Sequence, residues 1–356
     1  MKIDDVLTDA VHQQTSDILI AAGAPITFHI FGRLERQEPM LPLTPEQSEE
    51  LIMQLLDAEQ KDEFARTHEL DMGYEIEGVA RFRASVFMQR RTVAAVLRVV
   101  PLEIPHYTTI GITESLLMYL QQIPNGLILV TGPTGAGKST TVASYLQYLN
   151  VEGDNPRHIV TIEDPIEFYM QPQKCNIEQR EVGYDTNDYV IGLRSALRQM
   201  PHIIFVGEMR DRETIEIALT AAETGNVVIS TLSTQSAAKT INRIIDVFPI
   251  HDQAEIRTRL ALTLKAVISQ VLLRRRDIPG RIAAREILLV NHSVANLIRE
   301  AKIHQVNNVI SSSYSEGMML LDDSLMALYR EGVIHTADVV ARLQDPDKAR
   351  NLLVTA

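Results

Sequence analysis

Apolar positions change their spacing partway along the chain. Between residues 2 and 100 they mix a helical and an alternating period; beyond 111 they come in short unbroken runs separated by helical stretches. The first pattern predicts a short helix at 2–13, strands at 17–22 and 26–36, and strands near 69–77, 79–88 and 92–100, the last two joined by a turn at Gln89, Arg90 and Arg91. Thr44 and Gln47 form a capping-box pair with Pro45 at the first helical position. A helix should follow, with Leu51, Ile52, Leu55 and Leu56 on one face. Pro101 and Pro105 mark residues 101–110 as a linker. Beyond it, the runs 126–130, 158–162, 203–207 and 226–231 predict strands buried on both faces. Helices are expected at 140–149, 186–199, 214–224 (stopped by Gly225), 236–247 and 251–273, the last ending in Arg274, Arg275 and Arg276. The expected fold is α/β: a small N-terminal domain at 1–100 and a larger domain at 111–356 built on a mostly parallel sheet.

In an open parallel sheet the ligand sits beyond the carboxyl ends of the strands. Chemistry-bearing residues follow all four runs: Gly132, then Glu163 and Asp164, then Glu208, then Ser233, so the four should converge. The first run leads into Gly132, Pro133, Thr134, Gly135, Ala136, Gly137, Lys138 and Ser139, which fits G-x-x-x-x-G-K-[ST]. A strand feeding a glycine loop at a helix N-terminus aims several backbone N–H groups and the positive end of the helix dipole at one spot, where a phosphate binds. Lys138 is then the residue that reaches the β- and γ-phosphates of ATP, and the Ser139 hydroxyl a ligand of Mg²⁺. Glu208, at the end of an apolar strand beside Gly207, is placed to orient Mg²⁺ and its water. Glu163 is the candidate general base for the attacking water. Taken singly, either acid reads more readily as a solvated loop carboxylate; beside a phosphate loop the functional reading takes precedence.

Length and charge narrow the picture. A chain of 356 residues suggests two domains rather than one. With 34 basic and 46 acidic residues the net charge is −12, which speaks against a nucleic-acid surface. No run of 18 apolar residues and no signal-peptide core is present, pointing to a soluble cytoplasmic protein with at most peripheral membrane association. Cys175 is the one cysteine, so an internal disulfide and a four-cysteine zinc site are both excluded. Against the acidic balance, Arg81, Arg83, Arg90, Arg91 and Arg98 fall within eighteen residues that hold no acid. They form either a solvated outer face or an arginine set aimed at phosphate on a neighbouring subunit.

The runs VTIEDPIEF (160–168), LRSALR (193–198), VGEMRD (206–211) and LTAAETG (219–225) resemble the secretion-type ATPases. SAAKTI (236–241) and NLIRE (296–300) are similar to the PilT-like branch, the type IV pilus retraction (twitching motility) motors. The resemblance runs over nearly the whole chain. It implies a homo-hexamer of subunits with a PAS-like N-terminal domain and a RecA-like ATPase domain. Such a motor works at the cytoplasmic face of the inner membrane, against an inner-membrane pilus platform protein, in some cases beside a second pilus ATPase. It also implies that the loop 132–139 is the Walker A motif, Glu163 the acid of the Asp box and Glu208 the Walker B glutamate. Arg81, Arg83, Arg91 and Arg98 fall where the family keeps arginines that reach the next subunit's nucleotide, and Asn296 to Glu300 match part of the retraction motif. Related assembly motors usually carry a four-cysteine zinc module, which this chain lacks. Where the family's His box has histidines, the chain has Asn226 and Ser233, which leads to the expectation of normal nucleotide binding and slow turnover. An accessory, weakly hydrolysing subunit acting through a partner motor is the alternative.

Overall fold

The computed structural model describes residues 1–356 except 31–32, 38–40, 101–102, 346, 348, 351 and 353–356. The chain folds as two compact units, Met1–Glu103 and Ile104–Ala356. The first contains α1 (Ile3–His12), β1 (Thr15–Ala21), β2 (Thr27–Ile30), β3 (Arg33–Arg36), α2 (Pro45–Ile52), α3 (Ala58–Thr67), β4 (Glu69–Ile76), β5 (Ala80–Gln89) and β6 (Thr92–Val100). Its strands form one antiparallel sheet in the order β3-β2-β1-β6-β5-β4. Alternation fixes the two faces of β5: Ala80, Phe82, Ala84 and Val86 are buried, whereas Arg83 is exposed. The capping box at Thr44 is formed, with both reciprocal hydrogen bonds to Gln47. The single strand expected at 26–36 is instead the hairpin β2–β3, in which Ile30 pairs with Arg33; residues 31–32 of that expectation lie outside the described residues.

The second unit holds α4 (Glu114–Gln121), β7 (Gly126–Thr131), α5 (Lys138–Val151), β8 (His158–Glu163), β9 (Asn176–Glu181), α6 (Tyr189–Ala196), β10 (Ile203–Val206), α7 (Arg212–Glu223) and β11 (Val227–Leu232). After these come α8 (Ala237–Asp246), α9 (Gln253–Thr263), β12 (Leu264–Arg274), β13 (Arg281–Leu289), α10 (His292–Arg299), α11 (Val306–Ser312), α12 (Leu321–Arg330) and α13 (Thr336–Val340). Its sheet runs β13-β12-β7-β11-β10-β8-β9, parallel throughout except for β13 at one edge. Every residue of β7, β10 and β11 is buried, as expected for strands covered on both faces. The expected helices at 140–149, 214–224 and 236–247 are present.

Three expectations for this unit change. The helix at 251–273 ends at Thr263, and Leu264 to Arg274 is strand β12, paired with β7. An apolar run flanked by helix-forming residues carries no period that separates a buried strand from a buried helix. The helix at 186–199 is confined to α6, because Asp188 caps it by accepting from the Ile191 N–H. The end of the segment expected to be a linker packs into the second unit: Tyr107 is buried and meets Tyr148 edge-on at 5.5 Å. Pro101 and Leu102 lie outside the described residues.

Candidate nucleotide site

The phosphate loop spans the turn between β7 and α5. Gly132 has φ 149°, and a Cβ there would lie 2.3 Å from the Gln270 carbonyl oxygen. Only glycine lets the loop pass this close to β12. Pro133, Thr134 and Gly135 are exposed at the rim, and Gly137 caps α5 in a left-handed conformation. Lys138 curls back over the loop, its Nζ donating to the carbonyls of Gly132 at 3.0 Å and Pro133 at 3.2 Å. Desolvation holds its ammonium below the usual lysine range, while Glu208 and Glu167 pull the other way. An anionic phosphate at the rim offers this half-buried charge a stronger partner than two carbonyls.

Glu208 follows β10, and its carboxylate is gripped from two sides. Arg210 reaches Oε2 through Nε at 2.8 Å and Nη2 at 2.7 Å, and the Ser233 hydroxyl donates to Oε1 at 3.0 Å. Ser233 therefore sits in the site, as a partner of the acid. Asn226 does not. It precedes β11 at the amino end of the strands, where its carbonyl accepts from Gly126 N–H and its Nδ2 donates to the Pro201 carbonyl at 2.6 Å. The six residues of β11 separate it from Ser233 by ~20 Å, which puts it at the opposite edge of the sheet from Glu208.

Glu163 ends β8 and is 6% exposed. Its Oε1 accepts from the Thr161 hydroxyl at 2.6 Å and from Gln179 Nε2 at 3.3 Å. Burial pushes its carboxyl up to about 7, against the lowering effect of those donors. Gln179 also binds the Phe168 carbonyl and the Met170 N–H, tying the loop after β8 down over the acid. A carboxyl near neutrality suits proton transfer at physiological pH. Ser139 at the first turn of α5 and Glu208 together supply a hydroxyl and a carboxylate, a hard oxygen set that fits Mg²⁺, which takes its remaining ligands from water and substrate phosphates. Bound there, the ion would offset charge developing on the transferring phosphoryl group.

Sequence reasoning missed the residue that braces this loop. Gln270, 2% exposed on β12, donates through Nε2 to the Ala136 carbonyl at 2.6 Å and accepts from the Thr141 hydroxyl at 2.9 Å. Beside it, the Ser269 and Thr131 hydroxyls are 2.7 Å apart. Across the β12–β13 ladder, Gln270 pairs with Arg285 and Ser269 with Glu286. Glu286 is buried and accepts from the Ala237 N–H at the start of α8, and burial raises its carboxyl. Arg285 is also buried; it donates to the carbonyls of Gly111 and Ile110 at 2.9 and 2.8 Å, and desolvation alone brings it down to about 10. A polar residue inside an otherwise apolar run was the available signal.

The arginine set lies in the first unit. Arg83 and Arg98 pair across β5 and β6 and both are exposed. Arg98 Nε donates to Asp17 at 2.9 Å. Arg81 lies over Gly73, where a Cβ would come within 2.9 Å of its Nη2. Arg90 and Arg91 form the two-residue turn between β5 and β6, both with left-handed φ. Of the 296–300 stretch, Asn296, Arg299 and Glu300 are exposed at the end of α10.

A phosphate loop on a parallel sheet, with an acid at the end of a nearby strand, defines a P-loop ATPase. The model of the family "Type II/IV secretion system protein" matches residues 1–278, and the chain belongs to that family. It is 43% identical to the type IV pilus retraction ATPase PilT of Pseudomonas aeruginosa over 98% of this chain and 99% of that one. With the type IV pilus ATPase PilU of the same species it shares 35% identity over 99% of this chain and 91% of that protein. Among solved structures, the pilus retraction motor PilT with bound ADP superposes with a TM-score of 0.88 at 41% identity, covering 98% of each chain.

Proposed function

We propose that this chain is the subunit of a homo-hexameric motor that uses ATP hydrolysis to retract type IV pili, working at the cytoplasmic face of the inner membrane on a pilus platform protein. The likeness to PilT along the whole chain supports the process. The observation that carries the chemistry is the phosphate loop between β7 and α5, with Lys138 folded over it onto the carbonyls of Gly132 and Pro133. In this reading residues 132–139 hold the phosphates, Lys138 neutralises the β- and γ-phosphates, and Ser139 and Glu208 hold Mg²⁺. Glu163 takes a proton from the attacking water. Arg81 and Arg98 reach the nucleotide of the neighbouring subunit; Arg98 gives up Asp17 to do so, and an ion pair with an arginine 69% exposed is weak enough to trade.

The test is Mg²⁺-dependent ATPase of the purified protein, with and without DNA. Lys138→Ala should abolish turnover, and DNA should not stimulate it. A variant within twofold of wild type refutes the site. An arginine supplied in trans is worth roughly 10³–10⁵ in rate. Mixing Lys138→Ala with Arg98→Ala protein should therefore restore part of the activity, and inactivity at every ratio in confirmed mixed hexamers removes the arginine role. The second reading is an accessory subunit that turns over slowly without a partner ATPase. Both oxygens of Glu208 being engaged by Arg210 and Ser233 favours it. A turnover that rises only when a second pilus ATPase is added would establish that reading.

A further inference from the structure

Tyr189 opens α6, and two glycines bring its phenol to the ends of the catalytic strands. At Gly192, one turn further along α6, a Cβ would stand 3.0 Å from Ile162 Cγ2, so the missing side chain lets the helix settle against β8. At Gly207, a Cβ would lie 2.9 Å from the Tyr189 hydroxyl and 3.4 Å from both the Glu163 Cα and the Ile162 carbonyl oxygen. The hydroxyl thus occupies the crease between the ends of β8 and β10, the two strands from which Glu163 and Glu208 depart. The other charges acting on it come from Asp164 and Arg210. Burial first, then Asp164, Glu163 and Glu208, keep the phenol protonated well above its usual range. A neutral hydroxyl in this crease keeps a proton that it can donate in a hydrogen bond.

We propose that the Tyr189 hydroxyl is a water-positioning group of the ATPase reaction, holding the attacking water in the crease together with Glu163. The inference rests on the reading of Glu163 and Glu208 given above and extends it to a residue on a different element. The phenol neither takes nor gives up a proton in the reaction. It fixes the direction of the water's lone pair while Glu163 accepts the proton. Orientation of this kind acts on turnover rather than on nucleotide affinity, because the phosphate loop lies on other elements.

Tyr189→Phe keeps the ring and removes only the hydroxyl. Expected is a fall in kcat of about tenfold, with the affinity for a fluorescent ADP analogue and the thermal midpoint unchanged. In a Glu163→Gln background the same substitution should cost less than threefold, since the water has already lost its base and the two groups act on one molecule. A kcat for Tyr189→Phe within twofold of wild type overturns the proposal. So does a full tenfold loss repeated on Glu163→Gln, which would make the two residues independent. Glu163→Gln with wild-type turnover would instead overturn the base assignment, and it is read apart from the comparison of Tyr189→Phe with wild type.

Discussion

Replacing Gln270 by leucine tests how the phosphate loop is held. The side chain is 2% exposed and makes two hydrogen bonds, to the Ala136 carbonyl and from the Thr141 hydroxyl. Leucine fills much of the same volume and leaves both partners buried. An unsatisfied buried group costs about 1–3 kcal/mol, and Thr141 can recover part by turning to a carbonyl one helical turn back. A loss of about 3 kcal/mol follows, equivalent to roughly 6–12 °C in the melting midpoint of a unit of this size. The Ala136 carbonyl belongs to the loop itself, so the loop loses its fixed geometry as well, and ADP affinity should fall about tenfold or more. Scanning fluorimetry with and without Mg²⁺–ADP reads both effects: a lower midpoint without ligand and a smaller upward shift with it. Adding Thr141→Val, which removes the second stranded group, should return part of the lost stability. A Gln270→Leu protein that melts within 2 °C of wild type and shifts equally with ADP refutes the bracing role.

Two other outcomes follow from the site. Glu163 has a folded pKa near 7 against an ordinary value of 4.5, so ionising it works against the fold. The stability it permits is fully present below pH 4.5 and is lost as pH rises through 7, by on the order of 3 kcal/mol. Without nucleotide, Glu163→Gln should therefore melt higher than wild type at pH 8, with the gain shrinking toward pH 5; a constant difference across that range contradicts the burial argument. Asn226→Ala should cost about 1 kcal/mol in thermal stability by freeing the Pro201 carbonyl, and leave kcat unchanged. Ser233→Ala, at the other end of the strand, should alter kcat, and matching effects of the two on turnover would contradict their placement.

The phosphate loop was legible in the sequence because its chemistry is local: a lysine, a hydroxyl and three glycines at fixed spacing between an apolar run and a helix. The positions of Glu163 and Glu208 at the strand ends were legible for a related reason, since a parallel strand delivers whatever follows its last apolar residue to one edge. Gln270 was not. Its partner Ala136 is 134 residues away, and the run around it suits a buried helix as well as a buried strand. Asn226 was misplaced for a different reason. A motif aligns positions along the chain, whereas the direction of β11 sends residues 226 and 233 to opposite edges of the sheet.

Arg285 bears on where the ATPase unit can be cut. Its guanidinium is buried, and the carbonyls it holds belong to Ile110, the last residue of the expected linker, and Gly111, the first of the expected domain. A fragment beginning at Ile112 would keep every residue of the phosphate site and every strand of the sheet. It would also keep a buried cation stripped of both acceptors, a loss of about 3–5 kcal/mol by comparison with breaking a buried pair. That is much of the stability of an ordinary domain. A fragment beginning at Ile104 retains the clamp. The unit that can be inherited, shuffled or expressed on its own is therefore set by a single arginine on its edge strand, and it starts before the apparent joint.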